Sequence, residues 1–396
     1  MIKLLVVADD FTGMLDTGVQ FSKYSDKVIA TTDYNIDFDS ISDDIEILII
    51  DTETRHTSEK EAYNRLERLF NRAKLSDIKY VYKKIDSVFR GNIGPELKAM
   101  ADSLDTNSIP LVPSYPNNNR IIKDGKLYIN KSFKDISRQC YDLDLKNKLS
   151  EEKISFLTNS IDKESDIDFI LMDAIDNEDL DKNLSHILSE GLSRYVVGSA
   201  GFAESYAKLL FSKKVETKFS VKPPLIVVCG SLNKVTKNQN MYTRVKGYPV
   251  ITIDNDVIIN KDSCGSEFKF LLDNIYTKIR NNKVAVIETS SVLIDKVNDI
   301  GVNPRVLIGE FLGEISKSLI DRSIDGTFLF TGGDTLFWCM EVLGVDSIRP
   351  IAEIEPGVVV SKFNYMGKDI NVITKSGGFG EDSLYFDISK EYMEGE

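Results

Sequence analysis

The run Lys3-Leu4-Leu5-Val6-Val7-Ala8-Asp9-Asp10-Phe11-Thr12-Gly13 constrains this chain more than any other segment. Its apolar stretch is short and unbroken, the pattern of a strand buried on both faces of a parallel sheet. Two adjacent carboxylates and a glycine turn follow at once. In open α/β sheets, ligands bind beyond the carboxyl ends of the strands. Asp9 and Asp10 would repel one another there unless a counter-charge or a ligand uses them. The run therefore predicts a parallel sheet and a site at its edge.

At 396 residues the chain is long for one domain, so two are expected. Hydrophobic content of 42% and charged content of 28% are those of an ordinary globular protein. No apolar stretch is long enough to span a membrane, and the N-terminus enters the first strand without a secretory pattern, so a cytoplasmic location is expected. Cys140, Cys229, Cys264 and Cys339 form no CxxC pair and read as free thiols. With His56 and His186 as the histidines, a histidine-rich metal site is excluded, and no metal-ligating set is predicted. The net charge of −13 argues against nucleic acid or an anionic membrane as partner. It does not exclude a small anionic substrate, because a few cations at a strand end can dominate a pocket.

Along the first half, an apolar strand, a polar turn and a helical stretch recur. Strands over 45–50, 79–85, 109–113, 169–172 and 195–197 lead into Asp51-Thr52-Glu53-Thr54-Arg55, Asp86-Ser87, Ser114-Tyr115-Pro116, Asp173-Ala174 and Gly198-Ser199-Ala200-Gly201. Amphipathic helices are expected over 59–72 and from about Gly94-Pro95-Glu96. This alternation implies βαβ units. Residues 131–165 are polar and predict no element. The aperiodic stretch 213–224, ending in Pro223-Pro224, reads as a linker. The pattern then restarts, with strands over 225–228, 284–287, 327–330 and 369–374. They run into Gly230-Ser231, Glu288-Thr289-Ser290-Ser291, Thr331-Gly332-Gly333-Asp334-Thr335 and Lys375-Ser376-Gly377-Gly378-Phe379-Gly380. The expected fold is α/β, with domains over 1–215 and 224–396. Each is a mainly parallel sheet flanked by helices, with the active site in the interdomain cleft.

The strand ends of the first half collect Asp9, Asp10, Arg55, Lys84, Asp86, Ser87 and Arg90. Arginine pairs bidentately with a planar carboxylate, lysine acts as a point charge, and carboxylates can bind hydroxyls or act as a base. The mixture suits a polyhydroxylated acid; the alternative is a set of helix caps and ordinary ion pairs. In the second half, three glycine turns follow strands. Glycines let backbone amides approach phosphate oxygens, and a following helix N-terminus adds a favourable field. Each turn could equally be structural. No GxxxxGK[ST] loop is present. Gly198-Ser199-Ala200-Gly201-Phe202-Ala203 lacks the first GxG turn of a dinucleotide loop and reads as packing or substrate contact.

These residues also carry a family resemblance. Ala8-Asp9-Asp10-Phe11-Thr12-Gly13 with Asp16, and Lys84-Ile85-Asp86-Ser87-Val88-Phe89-Arg90-Gly91-Asn92, resemble the four-carbon acid sugar kinase family. Further similarities are Pro113-Ser114-Tyr115-Pro116 through Arg120, Asp124-Gly125-Lys126-Leu127-Tyr128, Gly198-Ser199-Ala200-Gly201, Gly230-Ser231 with Thr236 and Gln239, Gly332-Gly333-Asp334-Thr335, and Lys375 through Gly380. The chain departs from the pattern at Met14, Val88-Phe89, Asn119, Asn233, Asp334 and Gly378. The resemblance implies a sugar-acid-binding N-terminal domain, a nucleotide-binding C-terminal domain, and ATP-dependent phosphorylation of the terminal hydroxyl of threonate, erythronate or their 3-oxo forms. It places the sugar acid on Asp9, Asp10, Arg55, Lys84, Asp86, Ser87 and Arg90. ATP falls on Ser231, Asn233, Gly332, Gly333, Asp334, Thr335 and Gly377, with Mg²⁺ bridging its phosphates.

Phosphoryl transfer asks chiefly for positioning and charge neutralisation. Arg55 or Arg90 is expected to pair with the substrate carboxylate, and Asp10, with Asp86 second, to accept the hydroxyl proton. Domain closure would exclude water. The expected partners are a small sugar acid and ATP, with assembly into a homo-oligomer left open. Two rival readings are a non-catalytic sugar-acid sensor, which has no use for phosphate turns, and an NAD-dependent dehydrogenase, which leaves the Gly332–Thr335 turn unexplained.

Overall fold

The computed structural model describes residues 2–392 apart from 77, 105, 137–139, 162–166, 212–213, 216–218, 260–264 and 291–302. Parts of the expected linker, Ser291 and Cys264 thus lie outside the described residues. The chain divides into two compact units, Met1–Glu216 and Thr217–Glu396.

The first unit is built on strands β1 (Leu4–Ala8), β2 (Val28–Thr31), β3 (Ile47–Asp51), β4 (Tyr80–Lys84) and β5 (Ile109–Val112). They are followed by β6 (Arg120–Lys123), β7 (Lys126–Ile129), β8 (Leu143–Asp144), β9 (Phe156–Thr158), β10 (Phe169–Leu171) and β11 (Tyr195–Gly198). Eight of the described strands form one sheet in the order β2-β3-β1-β4-β11-β5-β10-β9, every neighbour parallel. β6, β7 and β8 make a separate antiparallel sheet whose first turn holds Asp124 and Gly125 at positive φ. All five β1 residues are buried, as an unbroken apolar run demands of a central strand. Helix Glu59–Leu75 buries Ala62, Leu66, Leu69, Phe70 and Ala73, the three-and-four spacing of one helical face, and Ser58 caps its start. Leu66, Leu69, Phe70 and Ala73 join Leu5, Leu48, Leu97 and Met100 in one hydrophobic core.

The chain leaves β1 toward β2 on one side and leaves β4 toward β5 on the other, so β1 and β4 flank a topological switch point. In register, Ala8 lies opposite Asp51, Val7 opposite Lys83, and Gly198 opposite Lys84. Four predicted strand ends therefore become neighbours.

The second unit repeats the arrangement. Strands β12 (Leu225–Cys229), β13 (Val250–Ile253), β14 (Val284–Thr289) and β15 (Thr327–Thr331) lie in the order β13-β14-β12-β15, all parallel. β18 (Lys368–Lys375) extends the sheet in parallel beside β15. The antiparallel strands β17 (Val358–Tyr365) and β16 (Ser347–Glu355) follow it. Cys229, Thr331 and Lys375 share one register line, so the turns after β12, β15 and β18 emerge side by side.

Residues 131–165, polar in sequence, nevertheless supply β8, helix Leu145–Glu151 and the edge strand β9. An edge strand needs only one buried face and short length, so its apolar signal is weak. The mainly parallel reading holds, with β16, β17 and the β6–β8 hairpins as antiparallel additions. Cys140, Cys229 and Cys339 are free thiols. Among the described residues no helix is long and apolar enough to cross a membrane.

The Gly198–Ala203 segment packs tightly against the 114–115 turn. The Ser199 hydroxyl donates to the Ser114 carbonyl at 2.7 Å and accepts the Gly201 amide at 3.1 Å, starting helix Ala200–Leu210. A Cβ on Gly201 would stand 2.7 Å from Tyr115 Cα. Gly201→Ala is therefore expected to destabilise the protein by about 1–3 kcal/mol through overpacking. Denaturant melts check this; an unchanged midpoint would show that the helix start can move off Tyr115.

Candidate functional site

At the β1 end, Asp10 caps helix Phe11–Ser22, its Oδ1 accepting the Gly13 amide at 2.9 Å. Asp9, 2% exposed, takes the Arg55 fork bidentately, from Nε to Oδ2 at 2.7 Å and from Nη2 to Oδ1 at 3.0 Å. Arg55 Nη1 also donates to Asp10 Oδ2, and Asp86 lies 3.7 Å away. Asp86 in turn grips Arg90 from Nε at 3.0 Å and Nη2 at 2.7 Å. Its Oδ2 also accepts the Val88 and Arg90 amides, closing the 86–90 turn around Phe89 at φ 61. That left-handed residue costs roughly 1–3 kcal/mol, which the carboxylate's bonds offset. Ser87 is partly buried in the same turn.

Both arginines expected to hold a substrate carboxylate thus already spend their bidentate forks on Asp9 and Asp86. The Lys84 ammonium, on a residue 5% exposed, makes no hydrogen bond or ion pair among the described residues, yet it acts electrostatically on Asp9, Asp10 and Asp86. Its ammonium occupies space that Gly13 leaves open. A Cβ there would be 2.6 Å from both Lys84 Nζ and Asp10 Oδ1.

The two adjacent carboxyls differ electrostatically. Burial alone would raise Asp9, but Arg55, Lys84 and Lys83 overturn this and hold it below its ordinary value. For Asp10 burial prevails: Arg55 and Lys84 oppose it, Asp9 reinforces it, and the carboxyl sits above its ordinary value. Asp86 is held far down, the Arg90 hydrogen bonds and the Arg55 and Lys84 charges outweighing burial. Sequence reasoning missed two members. Asp51, fully buried, is pushed well up by burial with Asp10 and Asp9 adding to it, and its Oδ2 has no hydrogen-bond partner. Arg120, at the start of β6, lies within electrostatic reach of Asp86 and Arg90.

Beneath the site, Lys83 and Glu96 form an ion pair at 2.7 Å with neither residue exposed to solvent. Lys83 Nζ also donates to the Lys84 carbonyl at 2.9 Å, and the Thr54 hydroxyl donates to Glu96 Oε1. The pair fastens the loop carrying Arg55 to the end of β4. The alternation of strand residues places Lys83 and Lys84 on opposite sides of β4, a signal available from sequence once the strand is assigned.

In the second unit the predicted turns also meet. A Cβ on Gly332 would stand 3.9 Å from Ser231 Cβ, and one on Gly377 would lie 3.4 Å from Asn233 Cβ. Asn233 caps helix Lys234–Val245 by accepting the Val235 amide at 2.9 Å. Gly332, at φ 91, begins helix Gly333–Leu343 without a side-chain cap; the Thr335 amide turns to the Gly332 carbonyl, and the Gly333 and Asp334 amides at the helix start are the ones an anion could take. Asp334 is held bidentately by Arg305 at 2.5 and 2.6 Å, and the Thr335 hydroxyl is spent on the Thr331 carbonyl at 3.0 Å. Lys375 was not among the expected ligands, yet it is buried beneath the 376–380 turn.

Fold and site define a two-unit α/β protein with a charged cluster at one switch point and clustered glycine turns at the other. A model described as a sugar-binding N-terminal domain matches residues 4–139, and one described as a nucleotide-binding C-terminal domain matches 226–384. The chain belongs to the four-carbon acid sugar kinase family. It is 26% identical to a D-threonate kinase of Salmonella typhimurium over 98% of this chain and 97% of that one. Identity to a D-erythronate kinase of Heliobacterium modesticaldum is also 26%, over 90% and 89% of the two chains. A 3-oxo-tetronate kinase of Haemophilus influenzae is 23% identical over 98% of each. Two crystal structures share the fold. A Salmonella typhimurium LT2 protein has TM-score 0.76 at 19% identity, covering 99% of this chain and all of that one. A Haemophilus influenzae protein has TM-score 0.72 at 21% identity, covering 98% and 100%.

Breaking a buried pair strands a charge, whereas replacing both partners does not. Lys83→Met or Glu96→Leu alone should each cost about 3–5 kcal/mol, and the double variant should recover most of that loss. Urea melts of the three variants check this; additive losses would contradict it.

Proposed function

We propose that this chain transfers the γ-phosphoryl group of ATP to the terminal (4-) hydroxyl of a four-carbon sugar acid, such as 3-oxo-tetronate, threonate or erythronate, in sugar-acid catabolism. The observation that carries this reading is the division of labour at the two switch points. One offers fixed side-chain charges suited to a hydroxy acid; the other offers backbone turns suited to phosphates. Full-length similarity to kinases named for these acids supports it.

Because Arg55 and Arg90 are engaged, Lys84 is the cation with donors to spare, and we assign it the substrate carboxylate or a hydroxyl beside it. The paired arginines keep Asp9 and Asp86 ionised as acceptors for substrate hydroxyls. Asp10, raised by its surroundings, is the general base. The substrate oxygen attacks the γ-phosphorus, its proton passes to the Asp10 carboxylate, and the bond to the β–γ bridging oxygen breaks to release ADP. Mg²⁺ would accompany ATP, held mainly by the nucleotide's phosphates and neutralising their charge. Among the described residues no group of three acidic, histidine or cysteine side chains stands ready to cage a metal.

The assignment gives a pH signature. A base must be deprotonated to work, so kcat/KM falls as pH drops through its pKa. With Asp10 as base, the acid limb lies above the ordinary carboxylate value of about 4; with Asp86 as base it would lie below that value. Asp10→Asn is expected to lower kcat by about 10²–10⁴ and to abolish that limb. An ATP-coupled screen over four-carbon acids, repeated across pH, measures both; near-normal turnover of the variant would exclude Asp10. Failure of the full chain to bind Mg-ATP by calorimetry would instead favour a sugar-acid sensor.

A further inference from the structure

Lys375 ends β18 with 1% of its surface exposed. Its ammonium lies 3.1 Å from the Ser376 carbonyl, 3.1 Å from that of Phe379 and 3.4 Å from that of Gly377, with Thr236 Oγ1 at 3.2 Å. Gln239, also buried, continues the pattern, its Nε2 donating to the carbonyls of Phe379, Gly380 and Glu381 at 3.0, 3.2 and 3.0 Å. Thr236 adds a bond to the Gly377 carbonyl at 2.8 Å. The carbonyls of four of the five residues 376–380 are thus held from below by two buried side chains and a hydroxyl. In a trans peptide, N–H and C=O point in opposite directions. Pinning the carbonyls of Ser376 and Gly377 inward turns the amides of Gly377 and Gly378 away from the protein interior. Neither amide has an acceptor among the described residues. This loop packs against Ser231, and the Gly332 amide donates to the Lys375 carbonyl at 2.8 Å, so the other two glycine turns adjoin it.

We infer that Lys375 is a positioning residue for nucleotide binding: from beneath the 376–380 turn it holds the peptide carbonyls inward so that the amides of Gly377 and Gly378 face the phosphates. The inference rests on the kinase reading and names one source of its phosphate affinity. An ammonium is suited to this role because it carries three donors and no acceptor. At its depth, its own contact with the nucleotide is excluded by the turn above it.

Burial pulls the Lys375 ammonium down to about 8, against the opposing influence of Cys229 on β12 and Glu355 on β16. Cys229, itself in electrostatic contact with Glu288, and Tyr385 on helix Leu384–Glu391 are both pushed up by burial. Glu355 is raised by burial, with Glu381 and Asp387 adding to the shift and Lys375 opposing it. Above pH 8 Lys375 loses its charge and one donor, and the turn loses part of its restraint.

The test measures the Kd of Mg-ATP for the full chain by calorimetry and the KM of each substrate. Lys375→Met should weaken Mg-ATP by about tenfold or more while leaving the KM for the sugar acid within about twofold, since each tenfold step corresponds to a single strong charge-assisted bond. Amide exchange should rise at 376–380. In the unmodified protein, nucleotide affinity should decline as pH rises through about 8, and that decline should be absent in Lys375→Met. Equal Mg-ATP affinity for both proteins, or a flat affinity from about pH 6.5 to about 9.5 in the unmodified protein, would overturn the inference. Should Lys375→Met fail to fold, the pH series on the unmodified protein decides alone. Absence of any Mg-ATP binding by the unmodified protein would instead reject the kinase reading itself.

Discussion

The site in the first unit depends on one guanidinium shared unequally between two neighbouring carboxylates. Arg55 closes both nitrogens of its fork on Asp9 and gives a single further bond to Asp10. Two like charges on consecutive residues would otherwise push the strand end apart or force a proton onto one of them. The unequal division resolves this by leaving Asp9 a fixed anion and Asp10 a raised, titratable carboxyl. Separating the titration of adjacent acids is how one pocket can hold a ligand with one group and move a proton with the other. Burial and the two neighbouring carboxylates also push Asp51, behind them, well above its ordinary value, which disfavours a third negative charge there.

That arrangement is held from below. The Lys83–Glu96 pair joins the end of β4, the Thr54 loop and helix Ile93–Leu104 in a region without water access. A buried ion pair contributes little net stability, but it is intolerant of displacement, because moving either partner strands a charge. Geometry is what it supplies. Asn92 adds to it by donating to the carbonyls of Thr54 and Thr57 at 2.7 and 2.9 Å, fixing the loop from which Arg55 projects.

The two units place their first four parallel strands in the same relative order, and each carries its candidate site turns at the same topological switch point. They use it differently. Side-chain charge dominates in the first, whereas the second relies on glycine turns and an uncapped helix start. A compact acid with several hydroxyls calls for donors and acceptors at fixed positions. A phosphate chain calls for many amides at close range, and side chains would obstruct them. Lys375 and Gln239 suit that second design, since they work on the backbone from the interior.

The α/β class, the central strands and the gathering of Asp9, Asp10, Arg55, Lys84, Asp86 and Arg90 were legible in the chain, because unbroken apolar runs and the residues that end them are local patterns. β9 was not, since a three-residue edge strand leaves too short a run, and the β16–β17 pair was not, since antiparallel pairing beside β18 is a matter of strand order that no run along the chain records. Pairing within the charged cluster was equally hidden. Sequence placed arginines near carboxylates, and only the folded chain showed both forks spent on Asp9 and Asp86, leaving Lys84 with donors in reserve. Thr335 looked like a ligand and turns its hydroxyl back to the strand; Asp51 and Lys375 looked like strand termini and lie within the two sites. The sequence by itself determined which residues stand at strand ends, because that follows from hydrophobic runs along the chain. Tertiary structure alone decided which ends are neighbours and which charges neutralise one another, because strand order and burial set distance and dielectric, and those push Asp9 and Asp10 in opposite directions.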